Sequence, residues 1–205
     1  MGVYRRGAEA ELTIADWRGR KAIVKRRVPK GYRLAELDER IRRQRMRAEV
    51  RLMAAARGAG VAVPVIYDAD IAGNSITMQY IDGPQAKEAI DSAEPGERER
   101  LCRELGRCAG KLHKADIVHG DFTTSNVIVA GELHMIDFSM GEMTAEAEKK
   151  AVDLHLLKEA FQSAHSAHLD CFGAVLEGYR AEYPEARRIE KVVAEVEKRG
   201  RYHEH

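Results

Sequence analysis

The chain has 205 residues, 44% of them hydrophobic and 33% charged, and a formal net charge of +1. That length holds one domain or two small lobes around a real core, and the near-neutral balance excludes a globally basic nucleic-acid binder, so any basic footprint has to be local. Cys102, Cys108 and Cys171 are odd in number and lack CxxC spacing, which argues against a disulfide framework and a structural zinc site. No apolar run approaches a membrane span and Met1 to Arg6 lacks the apolar core of a signal peptide, so a cytoplasmic protein with no membrane contact is expected.

In chain order, Glu9 to Ala15 and Lys21 to Arg27 read as paired strands around the turn Trp17-Arg18-Gly19-Arg20. Lys25 closes the run Ala22-Ile23-Val24, the setting of the strand lysine that contacts nucleotide phosphates in protein kinases. A helical pattern follows from about Ala35 to Arg57, with Leu37, Ile41, Ala48, Leu52 and Ala55 recurring at its turns and Gly58 and Gly60 closing it. Glu49 lies deep in that helix and is the favoured ion-pair partner for Lys25, with Glu36 and Glu39 as alternatives. Arg40, Arg42, Arg43, Arg45, Arg47 and Arg51 stand against Asp38, Glu39 and Glu49, six cations to three anions. That local excess of +3 reads either as a solvated face or as a contact for RNA or an acidic partner.

Val63 to Asp70 and Ser75 to Tyr80 read as two more strands across the turn Ala72-Gly73-Asn74, after which Ile81-Asp82-Gly83-Pro84 breaks the pattern as a hinge would. Backbone groups of Gln79, Tyr80 and Ile81 are the candidates for contacting an adenine. Beyond the hinge the pattern is helical: Leu101, Leu105, Cys108 and Leu112 define a helix to about Lys114, in which Cys102 and Cys108 are packing residues. Another helix begins near Ala145 and contains Asp153, Leu154, Leu157 and Phe161, and Leu169 to Glu182 and Glu185 to Lys198 complete the helical half. Strands plus one helix before the hinge, and helices plus a short hairpin after it, define an α+β chain without doubly wound alternation.

The richest stretch is His119-Gly120-Asp121-Phe122-Thr123-Thr124-Ser125-Asn126, followed by Asp137-Phe138-Ser139. Val127 to Val129, the turn Ala130-Gly131-Glu132 and Leu133 to Ile136 read as a hairpin joining the two. A hairpin brings the ends of its strands together, so Asn126 and Asp137 should face one magnesium ion. Asp121, on the loop just before, is placed to orient or deprotonate an attacking hydroxyl or water, as one Asp does in kinase-type sites. His119 reads as a structural brace for this loop.

These features together resemble the small atypical kinase subunit of the KEOPS (EKC) complex, a family related to the RIO kinases. The resemblance is carried by Arg6-Gly7-Ala8-Glu9-Ala10, by Lys25 with Pro29-Lys30-Gly31-Tyr32-Arg33, and by the Arg-rich helix with Glu49. His119 to Asn126 with its Thr123-Thr124-Ser125 insert, Ile136-Asp137-Phe138 and Lys150-Ala151-Val152-Asp153-Leu154 complete it over nearly the whole chain. The insert and the last segment separate the family from aminoglycoside phosphotransferases. The resemblance implies a small bilobal protein-kinase-like fold with an N-lobe over 1–81 and a C-lobe over 82–205, in a compact form that points to an archaeal version. It further implies ATP with Mg2+, serine autophosphorylation and ATPase activity, in service of the subunit that installs threonylcarbamoyl on the adenosine next to the anticodon of tRNAs. Carried onto this chain, Asp121 is the catalytic base, Asn126 and Asp137 the metal ligands, Lys25 the phosphate contact paired with Glu49, and Asp153 the support behind the catalytic loop.

Departures from ordinary protein kinases qualify that expectation. Only Gly7 stands where a G-x-G-x-x-G loop would cover the nucleotide, so fewer backbone N–H groups grip phosphate. Ser139 replaces the glycine of DFG, and fewer than twenty residues separate Asp137 from Asp153, too few for a peptide-docking activation segment. A poor general protein kinase gated by a partner is the reading; the alternatives are a slow scaffold subunit of the same complex and a small-molecule phosphotransferase. The tail Lys198 to His205 reads as a basic RNA contact or a frayed terminus.

Overall fold

The computed structural model describes residues 3–6 and 10–201. Five strands, β1 (Val3–Arg6), β2 (Ala10–Trp17), β3 (Arg20–Arg27), β4 (Ile66–Asp70) and β5 (Ser75–Gln79), form one antiparallel sheet in the order β1-β2-β3-β5-β4. The hairpin between β2 and β3 turns on Arg18 (φ 53°) and Gly19 (φ 79°), with the Gly19 N–H donating to Asp16 Oδ1 at 3.0 Å. Two central residues with positive φ give the I′ geometry whose twist suits a two-residue loop, so Trp17 and Arg20 are strand residues rather than turn residues. Glu9, expected in this strand, lies outside the described residues. The strand expected from Val63 starts only at Ile66, because Pro64 has no N–H to give to a ladder.

Between β3 and β4 runs α1 (Ala35–Gly58), which turns Met46, Glu49, Met53 and Ala56 inward at helical spacing. Apolar residues and a carboxylate therefore share its buried stripe. After the hinge come α2 (Ala86–Ser92), α3 (Pro95–Lys114), β6 (Ile117–Val118), β7 (Val127–Ala130), β8 (Glu132–Met135), β9 (Glu142–Met143), α4 (Ala147–Ala164), α5 (Phe172–Glu182) and α6 (Ala186–Arg201). The helix expected from Leu169 begins at Phe172, after a 3₁₀ segment over Ser166–Cys171. Neither α2 nor the β6–β9 pair was foreseeable, since seven-residue and two-residue elements are too short to show a period.

The helical half closes where α3 crosses α5. A Cβ on Gly178 would sit 1.9 Å from the Arg103 carbonyl oxygen, so only glycine allows that approach. One apolar cluster runs from Met46, Leu52 and Ile76 beside the sheet to Leu105, Phe138, Leu157 and Tyr179 among the helices. Cys102 and Cys108 are part of it; burial pushes both thiols up to about 12, as inert packing cysteines require. Among the described residues no helix is long and apolar enough to cross a membrane.

Candidate active site

Successive strand residues alternate faces, so Lys25 and Arg27 of β3 point the same way, toward α1. Lys25 Nζ donates to Glu49 Oε1 at 2.5 Å and Arg27 Nη2 donates to Glu49 Oε2 at 2.7 Å. Glu49, rather than Glu36 or Glu39, is thus the partner of Lys25, and Arg27 is a second partner that sequence reasoning missed, although its spacing from Lys25 was a readable signal. The three side chains are 8%, 4% and 1% exposed, so the cluster is held in a nearly dry interior.

Lys25 Nζ also reaches across to Asp137 Oδ1 at 2.7 Å. Asp137 sits at φ 62°, ψ 65°, a left-handed conformation that aims its side chain back at the sheet, and Ser139 N–H donates to the same oxygen at 3.3 Å. Burial pushes the Asp137 carboxyl up, but the Lys25 ammonium and Ser139 outweigh it and hold it down at about 2. Burial likewise lowers the Lys25 ammonium, and Glu49 and Asp137 more than compensate, raising it above the ordinary lysine value. A cation charged at all ordinary pH values results.

On the other strand end, Ile136 N–H donates to Asn126 O at 2.9 Å, which closes the mouth of the β7–β8 hairpin and makes Asn126 and Asp137 neighbours. Asn126 Nδ2 donates to Asp121 O and Oδ2, both at 2.8 Å. Behind this loop, the fully buried Asp153 of α4 accepts the His119 N–H at 2.6 Å on Oδ2 and the Gly120 N–H at 2.8 Å on Oδ1. Gly120 has φ 78°, and a Cβ there would lie 2.2 Å from Met140 O, so the turn demands glycine. His119 Nε2 donates to Ile136 O at 3.0 Å, its Nδ1 accepts the Asp121 N–H at 3.3 Å, and its ring lies 4.6 Å from Phe138. Burial holds this imidazole below its ordinary value despite Asp153, which suits a neutral brace.

Lys25, Glu49 and Asp137 line a cleft of about 340 Å³ between sheet and helices together with Gln79, Tyr80 and Ile81, whereas Asp121 and Asn126 are not among its lining residues. That volume is in the range of small-molecule sites. Two of the expected adenine donors are taken: Gln79 N–H donates to Val65 O at 2.8 Å and Tyr80 N–H to Lys21 O at 3.3 Å. Ile81 N–H makes no such bond within the described residues. Gly7 lies outside the described residues.

The donor set fits magnesium. No hydrogen bond within the described residues reaches Asn126 Oδ1 or Asp137 Oδ2, leaving one amide and one carboxylate oxygen, and hard oxygens are what Mg2+ takes. Among the described residues no group of three or more His, Cys, Asp or Glu side chains can hold a metal alone. Such a sparse set matches an ion that draws its other ligands from phosphates and water.

On the outer face of α1 a wider concavity of about 710 Å³ is lined by Arg40, Arg43, Arg47 and Arg51 together with Ala69 and Ile71. The helix is less bare than its composition indicated: Asp38 is 2% exposed and bonded by Arg42 at 2.7 Å, Arg43 bonds Glu39, and Glu49 is taken by β3. Tyr202 to His205 of the basic tail lie outside the described residues.

Residues 14–164 match the RIO domain family. KEOPS complex subunit Bud32 of Pyrococcus abyssi is 40% identical over 215 residues, covering 100% of this chain and 97% of the relative. The probable bifunctional tRNA threonylcarbamoyladenosine biosynthesis protein of Methanothermobacter thermautotrophicus is 40% identical over 202 residues, covering 98% of this chain and 36% of the relative. Of bifunctional relatives such as this one, the chain spans about a third. Two solved structures share the fold: WaaP in complex with acyl carrier protein, with TM-score 0.68 and 16% identity over 98% of this chain and 87% of that one, and the Rio2 kinase of Chaetomium thermophilum in its ADP/Mg2+-phosphoaspartate complex, with TM-score 0.65 and 17% identity over 98% and 72%. An antiparallel sheet followed by helices, with this likeness, is the fold of the atypical kinases. The chain belongs to the family of RIO-domain atypical kinases that includes the KEOPS complex subunit Bud32.

Proposed function

We propose that the chain is an ATP- and Mg2+-dependent phosphoryl-transfer subunit, an atypical serine kinase and ATPase, working in the cytoplasm within the complex that makes threonylcarbamoyladenosine beside the tRNA anticodon. The observation that carries the reading is the buried Lys25–Glu49 pair bonded onward to Asp137, one chain of charges joining sheet to helical half. The sheet with α1, residues 1–81, serves as one lobe and residues 82–205 as the other. ATP with Mg2+ supplies the phosphoryl group and neutralises its developing charge when bound.

Lys25 contacts phosphate, and Glu49 with Arg27 keeps that ammonium aimed into the cleft. Asn126 Oδ1 and Asp137 Oδ2 hold the metal. Asp121, with one oxygen tied by Asn126, uses the other to orient or deprotonate a serine hydroxyl or water. Asp153 fixes the loop through the His119 and Gly120 amides. Gly7 and the backbone of Gln79, Tyr80 and Ile81 contribute to nucleotide binding, with Ile81 N–H the donor toward the base. The short run from Asp137 to α4, a 3₁₀ turn and β9 only, supports a poor general protein kinase. Its service is to a threonylcarbamoyl-transferring subunit, to other subunits of the complex and to tRNA.

The test is ATP hydrolysis by the purified chain with Mg2+, alone and then with that subunit and tRNA, using Asp121→Ala as control. Turnover that the partner stimulates and the variant loses is expected, with a drop of roughly 100-fold or more. No turnover under any condition, with complex assembly intact, overturns the enzymatic reading in favour of a scaffold.

A further inference from the structure

We infer that His165 is a positioning residue for the 121–126 loop: held by Asp91 of α2 and holding Thr124, it fixes where Asn126 presents its metal-binding oxygen. The inference rests on the phosphoryl-transfer reading above.

Thr124 to Asn126 form a single 3₁₀ turn, and the Asn126 N–H donates to Thr123 O at 3.0 Å. That turn carries Asn126 two residues beyond the buried Thr124 side chain. His165, just past the last residue of α4, has a side chain 0% exposed, with Nδ1 2.5 Å from Asp91 Oδ1 and Nε2 3.0 Å from Thr124 Oγ1. A carboxylate only accepts, so Nδ1–H donates to Asp91, and in that tautomer Nε2 accepts from the Thr124 hydroxyl. A space-filling residue at this place would need neither bond. An imidazole with both nitrogens engaged instead fixes the direction of the hydroxyl, as outer partners of ligating groups do.

The bracket has a second arm. Gln85, one residue before α2, donates from Nε2 to Ser125 O at 2.8 Å. Thr124 and Ser125 are therefore both anchored to the segment that follows the hinge, one through His165 and one directly. The base-binding end of the cleft and its metal-binding loop consequently set each other's geometry. Asp91, with a side chain 45% exposed, is the outer end of this relay.

The experiment measures the Mg2+ concentration required for half-maximal ADP binding, by calorimetry, and for half-maximal ATP turnover. Thr124→Val keeps the shape and removes the hydroxyl, and Asp91→Ala removes the far anchor without touching the core. Both are expected to raise the Mg2+ requirement about tenfold, the lower end for loss of an outer partner of a metal ligand, while ADP binding without Mg2+ stays within twofold of wild type. Thr124→Ser restores the requirement. Asn126→Ala is the control that separates the two failures. If it raises the Mg2+ requirement and folded Thr124→Val does not, the positioning role is overturned and the site reading stands. If Asn126→Ala changes nothing, the site reading falls and the inference with it. A Thr124→Val chain that loses thermal stability but keeps the wild-type Mg2+ requirement reduces His165 to packing.

Discussion

Lys25 meets two carboxylates at once, and the second of them sets how the site responds to acid. Asp137 is pushed up by burial and pulled down further by Lys25 and Ser139, reaching about 2 against an ordinary value of 3.8. A carboxylate depressed in the folded state contributes stability that is fully present above 3.8 and is lost as pH falls through about 2. In Lys25→Met only Ser139 still opposes the burial of Asp137, and its carboxyl rises. Urea unfolding at stepped pH between 2 and 4 should then give a stability slope shallower by close to one proton in Lys25→Met than in wild type. Identical slopes would show that Lys25 does not hold Asp137 down. Single residues were unevenly readable at this scale. Lys25, Glu49, Asp121, Asn126 and Asp137 stood out because an apolar run or a fixed spacing framed each. His165 and Asp91 had no frame: they meet through a fold that brings the end of α4 to α2.

Asp153 acts through an element rather than alone, since α4 delivers its carboxylate to two successive backbone amides, those of His119 and Gly120. Its neighbour His113 lies at 3.4 Å and is itself held by Tyr179 at 2.8 Å, which ties α3, α4 and α5 to one loop. Replacing Asp153 by Asn leaves one acceptor oxygen for two N–H donors, and the displaced donor then faces an amide NH2 in a fully buried site. An unsatisfied buried group of this kind costs about 1–3 kcal/mol. Urea unfolding should give that loss, and hydrogen exchange should quicken at His119 or Gly120 first; unchanged protection of both amides would remove Asp153 from its supporting role. Elements with enough turns to show a period were the legible ones, α1 nearly to both ends and α3 at its C-terminal end. The β6–β9 pair joins Ile117 to Met143 and Val118 to Glu142, and no local pattern announces a partner twenty-odd residues away. Pro64 carries the signal for the later start at Ile66, and a strand expected from Val63 leaves that signal unused. Between Pro64 and β4, Val65 is tied to Gln79, whose N–H donates to Val65 O at 2.8 Å and whose Oε1 accepts the Val65 N–H at 3.2 Å.

At the scale of the whole molecule, sheet and helical half face each other across the cleft, tied by the backbone at the hinge and by Lys25 reaching Asp137. A ligand that fits this cleft contacts both halves at once and has no counterpart site in the unfolded chain, where Lys25 and Asp137 are 112 residues apart. Native-only binding stabilises by mass action, about 2.7 kcal/mol at a hundredfold excess over Kd. For a chain of this size that corresponds to a rise in Tm of about 5–10 °C. ADP with Mg2+ should therefore raise Tm by that amount, and ADP without Mg2+ by less. In Asp137→Ala the Lys25–Glu49–Arg27 cluster keeps its internal bonds, so the fold persists and ADP alone still binds, while the increment that depends on Mg2+ disappears. A thermal melt of wild type and variant with ADP, each with Mg2+ and with chelator, separates these contributions. A Mg2+-dependent increment of equal size in Asp137→Ala would place the metal elsewhere.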